Sequence, residues 1–308
     1  MLLDEKEWKD TFKGYLEGEA EFNMPMKNHT SLKIGGPADV FVVPGEPLSM
    51  RNMVVVLKEK GIPFFALGGG TNILVRDAGI EGVVISLKAF NRIEVLKEGN
   101  SHAELFVEAG VPLQRLVNFC KERGYSGIEG LTGIPGTVGG AICGNAGSFG
   151  CEMKDVIVSV AIMDLDARLD RFKAGELGFG YRRSGIRQTD IVLSANLKMK
   201  REDREVVSTR TEAFFNEKKQ KQPIWEKSAG CVFKNPETSS AGRLIDESGC
   251  KGMRIGDIEV SSVHANFFIN RGSGSASDFV NLMADVTSIV QNKFGIALEP
   301  EIRVVGRN

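Results

Sequence analysis

FFALGGGTNILV, residues 64–75, and GIEGLTGIPGTVGGAICGNAG, residues 127–147, are the two stretches whose reading decides the fold. In the first, an apolar run of strand type ends in Gly68, Gly69 and Gly70, then passes through Thr71 and Asn72 into a second apolar run. A tight turn needs fewer glycines than three. Without Cβ atoms in the way, backbone N–H groups and the two polar side chains are able to face a phosphate. The second stretch spreads Gly127, Gly130, Gly133, Gly136, Gly139, Gly140, Gly144 and Gly147 along one loop, where low bulk lets a flat or extended ligand approach the main chain. Neither stretch continues into Gly-Lys-Ser/Thr, and neither sets GxGxxG between a strand and a helix, so P-loop and Rossmann folds are excluded. On the loops alone, a phosphate-binding role and a structural role stay equally open.

Around these loops the texture is mixed. Short apolar runs such as ADVFVVP (38–44), GVVISL (82–87) and ELFVEAG (104–110) read as strands, and Val156 to Met199 forms a second strand-rich stretch. Helical spacing appears at 48–60, which ends at Gly61. It appears again at 112–123, where Pro112 stands at a helix start, Leu113, Leu116, Val117 and Cys120 share a face, and Gly124 stops the pattern. Residues 276–293 predict a longer helix. Ser275 is its N-cap, Phe279, Leu282, Met283, Val286, Ile289 and Val290 form its buried stripe, and Gly295 follows its end. Residues 1–16 place Leu2, Leu3, Trp8, Phe12, Tyr15 and Leu16 at helical spacing, a packing arm. The class is α+β. The division expected is an arm over 1–22, a body over 23–200 in two subdomains split near 100, and a last domain over 201–308, opened by the charged segment REDREVV.

Among 308 residues, 39 basic and 40 acidic side chains nearly cancel, so no broad cationic field exists for nucleic acid or an anionic membrane. Any anionic ligand must be held by local groups. No apolar run reaches the ~18 to 20 residues of a spanning helix, and MLLDEKEWKD lacks the continuous apolar stretch of a signal peptide, so a cytoplasmic protein is expected. The five cysteines form no CxxC pair and read as free thiols. His29, His102 and His264 stand far apart with no zinc spacing, so no metal site is expected.

Four further segments sharpen the reading: NHTSLKIGGPAD (28–39), GYRRS (180–184), SAGCVFKNP (228–236) and LEPEIRVVG (298–306), with AGRLIDESGCKGMRIGDIEVSSVHANFFIN over 241–270. Together with the glycine loops, and in this order, they resemble the UDP-N-acetylenolpyruvoylglucosamine reductase family from about residue 23 to the end. The resemblance implies a two-subdomain FAD-binding fold of the vanillyl-alcohol oxidase type over 23–200 and an α+β domain over 201–308 that holds a UDP-sugar. It also implies non-covalent FAD and NADPH as the hydride donor. The family's reaction reduces the enolpyruvyl ether of UDP-N-acetylglucosamine to UDP-N-acetylmuramate. By the same resemblance, Gly68, Gly69, Gly70, Thr71, Asn72, Gly133, Ile134, Pro135, Gly136, Gly139, Gly140, Ala141, Gly144 and Asn145 lie along the FAD pyrophosphate. A small UDP-sugar is the expected partner, without nucleic acid or membrane. A monomer is expected.

The chemistry needs particular residues. Hydride addition to the enolpyruvyl double bond leaves charge on the substrate carboxylate as an enediolate, and Arg182 in GYRRS matches the family's catalytic arginine. Its fork of donors is worth typically ~3 kcal/mol at such a charge. By motif position the proton donor is Cys231, where the best-known members carry serine, and a thiol with pKa near ~8.5 is the stronger acid. Glu301 in LEPEIR matches the family's catalytic glutamate, with Glu299 its competitor two residues away. Lys221, Lys234, Asn235 and His264 are the expected UDP-sugar contacts. Lys221 stays open between that role and a solvated place in KKQKQ, and His264 between the site and the core. Longer family members cover the sugar nucleotide with a tyrosine on an inserted loop, but this chain has tyrosine only at 15, 125 and 181. It resembles the shorter type. The rivals are another flavoenzyme of the wider fold and a non-catalytic sugar-nucleotide-binding protein.

Overall fold

The computed structural model describes residues 5–12 and 18–308. The N-terminal helix runs over Glu5–Phe12, with Trp8 and Phe12 buried and their rings stacked at 4.0 Å. Leu2, Leu3, Tyr15 and Leu16 lie outside the described residues. The mixture of helix and strand is α+β, and contacts gather the chain into two compact units. The first takes the described residues to Phe22, Val40–Gly69 and Gly82–Glu217; the second takes Asn23–Asp39, Gly70–Glu81 and Lys218–Asn308. The units therefore interleave along the sequence. Segments 23–39 and 70–81 go with the C-terminal part, and 201–217 goes with the first unit.

In the first unit, the strand Phe64–Leu67 lies parallel to Ile80–Ser86, with Phe64 opposite Val83 and Leu67 opposite Ser86. The helix Pro47–Glu59 starts with proline in its first turn and buries Met50, Met53, Val54 and Leu57. These share one core with Val40, Val42, Val83 and Ile85. Burying each such side chain contributes roughly 1.5–3 kcal/mol. From Ile93 onward a second sheet forms, in the order Leu169–Lys173, Ile157–Met163, Ile191–Arg201, His102–Glu108, Ile93–Glu98. Every pairing along it is antiparallel. The helix Leu113–Arg123 packs Leu113, Leu116, Val117 and Cys120 inward; Pro112 is its N-cap rather than its first residue, and Gly124 closes it at φ +67°. The charged segment after residue 200 enters the helix Arg204–Lys221. From that helix Arg210 reaches the buried Glu129 at 2.7 Å and Glu202 at 2.8 Å, which ties it to the second glycine loop.

In the second unit, Arg254–Ile255, Ile258–Val260 and Phe268–Asn270 form an antiparallel sheet. The helix Ala276–Phe294 packs beside it through Phe279, whose ring lies 5.4 Å from that of Phe268. Ser275 and Asp278 form a reciprocal capping box at its start, and Gly295 ends it at φ +71°. Asp77 adds a second cap by accepting from Ala276 N (2.8 Å) and Ser277 N (3.0 Å). Burial pushes the Asp77 carboxyl up, but these hydrogen bonds outweigh it and leave the group below its ordinary value. Strand Ile73–Val75 pairs in parallel with Arg303–Val305.

Candidate functional site

Gly68 and Gly69 leave the carboxyl end of Phe64–Leu67. A Cβ on Gly68 would stand 2.7 Å from Thr137 Oγ1, and one on Gly69 would stand 2.7 Å from Gly136 Cα. Gly69 thus meets the second loop through bare backbone and Gly68 faces the Thr137 hydroxyl, and a side chain at either position would force the loops apart. Gly139 is as tightly placed, its missing Cβ lying 2.8 Å from Ala109 Cβ. Thr137 caps the short helix Val138–Cys143 through Gly140 N, Ala141 is buried inside that helix, and Gly144 follows it. Gly133 N donates to Gln114 Oε1 at 2.7 Å, which fixes the start of the loop Gly133, Ile134, Pro135, Gly136. Gly68, Gly69 and Gly140 stay exposed. The result is a main-chain surface without side-chain bulk, and it fits the pyrophosphate of FAD. Gly69→Val should raise the Kd for FAD ~100-fold, about 2.7 kcal/mol, read by flavin fluorescence titration. Full FAD retention would contradict the cradle.

Arg182 sits at the tip of a tight turn in the same unit. Gly180 N donates to Arg183 O at 3.0 Å and Arg183 N to Gly180 O at 3.2 Å, leaving Tyr181 and Arg182 between them. Arg182 takes φ +54°, a left-handed backbone that costs a non-glycine residue about 1 kcal/mol or more. Asn145 is fully buried behind this turn. Its Nδ2 donates to Gly180 O and to Glu152 Oε2, each at 3.0 Å, and its Oδ1 accepts from Lys154 N at 3.0 Å. With both ends of the amide engaged by protein, Asn145 holds the Arg182 turn. Ser184 Oγ donates to Cys143 O at 2.8 Å and fixes the turn's exit.

Cys231 and Glu301 belong to the second unit, whose backbone pairs the segments that carry them. Lys234 N donates to Glu299 O and Glu301 N to Val232 O, each at 2.8 Å, and Phe233 bridges Pro300, so 231–234 runs antiparallel to 299–301. Cys231 bridges Phe267 on its other side, and Val232 N donates to Asn266 O at 2.8 Å. The buried Asn266 side chain binds both Phe233 N (2.9 Å) and Phe233 O (2.7 Å), a role that sequence reading missed. Cys231 and Glu301 are both half-buried. The first glycine run also serves Glu301: Asn72 Nδ2 donates to Glu301 O at 3.2 Å, and Arg303 N donates to Asn72 O at 3.1 Å. Gly70, next to the half-buried Thr71, has φ +62° and no room for a Cβ, which would stand 1.9 Å from His29 O.

The same geometry separates the two glutamates. Lys234 forms an ion pair with Glu299, whose side chain is 69% exposed, whereas Glu301 is half-buried. Asn235 Oδ1 accepts from Ala241 N at 3.0 Å and so caps the helix Ala241–Glu247. Lys221 is exposed at the end of Arg204–Lys221. His264 packs edge-on against Phe267 at 4.9 Å, and its Nδ1 faces the N–H of Asn266 at 3.3 Å. Burial pulls its imidazole below the ordinary value, which favours the neutral ring. A depressed folded value means that stability is fully present above about pH 6.5 and is lost as pH falls below it. His264→Asn should therefore flatten the loss of melting temperature between pH 7 and 5, where one proton contributes at most ~1.4 kcal/mol per pH unit. An unchanged slope would contradict this.

Among the described residues no helix is long and apolar enough to cross a membrane. Residues 222–305 match the family described as UDP-N-acetylenolpyruvoylglucosamine reductase, C-terminal domain, and residues 38–172 match the FAD binding domain family. The chain is 41% identical over 291 residues to the UDP-N-acetylenolpyruvoylglucosamine reductase of Geotalea uraniireducens, covering 94% of this chain and 95% of that protein. It is 41% identical over 291 residues to the protein of the same name from Caldanaerobacter subterraneus, with the same coverage. The crystal structure of the Thermus caldophilus UDP-N-acetylenolpyruvylglucosamine reductase superposes with a TM-score of 0.80 at 36% identity, over 94% of this chain and 99% of that one.

Proposed function

The chain belongs to the UDP-N-acetylenolpyruvoylglucosamine reductase family, and on that premise we propose which residues carry the family's reaction. That reaction is the NADPH-dependent reduction of UDP-N-acetylglucosamine enolpyruvate to UDP-N-acetylmuramate in peptidoglycan precursor synthesis. FAD, when bound, would supply hydride taken from NADPH for addition to the terminal carbon of the enolpyruvyl double bond. Gly68, Gly69, Gly136, Gly139 and Gly140 hold the FAD pyrophosphate against bare main chain. Arg182 binds the substrate carboxylate and stabilises the negative charge that hydride addition places there. Cys231 donates its thiol proton to the carbon bearing the ether oxygen. Glu301, its neighbour on the paired segment, stabilises the developing enol and orients that proton transfer.

Residues 23–200 serve FAD and 201–308 the UDP-sugar in this reading. Lys221 meets the diphosphate, Lys234 exchanges Glu299 for it, and Asn235 and His264 line the sugar nucleotide. We place the protein in the cytoplasm, as a monomer. The observation that supports the assignment is the backbone pairing of 231–234 with 299–301, which holds the segments carrying Cys231 and Glu301 together. Mixing pre-reduced, FAD-loaded protein with the enolpyruvyl substrate under anaerobic conditions tests it. Rapid flavin reoxidation with formation of the lactyl ether is expected, and a flavin that stays reduced would refute the reading.

A further inference from the structure

We propose that Glu152 is a positioning residue for Arg182 and that Asn145 clamps the two together; this rests on the catalytic reading of Arg182. Glu152 Oε2 accepts from Asn145 Nδ2 at 3.0 Å and pairs with Lys154 Nζ at 2.5 Å. The same Nδ2 also donates to Gly180 O at 3.0 Å, the carbonyl that opens the Arg182 turn. Gly147 shows that the two side chains approach the same space. A Cβ there would stand 2.9 Å from Glu152 Cγ and 3.4 Å from Arg182 Nη1, so both side chains converge on the space that a side chain at 147 would fill. The Lys154 hydrogen bond, opposed by burial and helped by Asn145 and Arg182, holds the Glu152 carboxyl below its ordinary value, so it is charged at neutral pH.

The arrangement answers a physical need. Arg182 occupies a left-handed backbone at the tip of a two-residue turn, and a strained residue of this kind keeps one geometry only where its surroundings over-determine it. Asn145, itself at φ +42° and fully buried, supplies a rigid link between the turn's backbone and a fixed carboxylate. That carboxylate restricts where the guanidinium points. Glu152 also belongs to a capping box with Asp155, so a purely local structural role must be told apart from action through Arg182.

A double-mutant cycle on the FAD-loaded protein separates the two. The rate of flavin reoxidation by the enolpyruvyl substrate is compared among the unaltered protein, Glu152→Gln, Arg182→Ala and the double variant. Glu152→Gln should slow reoxidation ~10-fold and leave flavin reduction by NADPH unchanged. It should weaken substrate binding to the oxidised protein, read by the flavin absorbance change, and cost nothing further once Arg182 is alanine. Equal losses in both backgrounds, or no loss from Glu152→Gln, would overturn the proposal. Full-speed Arg182→Ala would instead remove the catalytic reading of Arg182, and the proposal with it. Should Glu152→Gln fail to hold FAD, Glu152→Asp keeps the charge while withdrawing it by one methylene, and the same cycle applies.

Discussion

Cys231→Ala should reoxidise its reduced flavin with the enolpyruvyl substrate ~100-fold or more slowly than the unaltered protein, while NADPH still reduces the flavin at the same rate. Alanine removes the only proton on that side chain able to reach the substrate, and hydride delivery to FAD does not use it. Cys231→Ser should keep much of the activity, because a hydroxyl stands where the thiol stood. The backbone context favours this contrast, since Val232 is hydrogen-bonded to both Asn266 and Glu301, so a change of side chain at 231 leaves the segment anchored. Stopped-flow absorbance resolves the two half-reactions. An alanine variant that reoxidises at full speed would place the proton donor elsewhere.

Arg182→Ala should lower the reoxidation rate by ~100- to 1,000-fold, the loss expected when a preorganised donor to a developing oxyanion is removed. The group is preorganised at some cost, because its turn holds a left-handed arginine in place through a buried asparagine. Arg182→Lys should recover only part of the rate, since an ammonium lacks the planar fork that matches a carboxylate. A loss confined to KM, with kcat unchanged, would make Arg182 a binding residue only.

Much of this was legible in the residues, and the gaps have physical causes. The glycine loops announced themselves because three successive glycines after a strand serve no turn, and the structure shows both loops meeting where no Cβ fits. The helix Ala276–Phe294 carried its own start and stop signals in Ser275 and Gly295. The strand Gly18–Pro25 carried no such signal: it is an edge strand with polar and half-exposed positions, so apolar alternation is weak. The interleaving of the units was hidden too. Leu32, Ile34 and Leu74 are apolar wherever they pack, and nothing in their spacing names the C-terminal core as their partner. Glu299 and Glu301 looked alike until Lys234 took the first. The bond from Asn145 to Gly180 O was out of reach for a similar reason, because the two residues stand 35 apart in sequence.

Anaerobic NADPH consumption by the FAD-loaded protein, measured with and without the enolpyruvyl ether of UDP-N-acetylglucosamine, tests the central claim most directly. NADPH is expected to be consumed mole for mole with added substrate, and without it only to reduce the bound flavin once. Flavin reduction that does not progress to turnover when substrate is added would contradict the assignment and favour a different flavoenzyme or a binding protein.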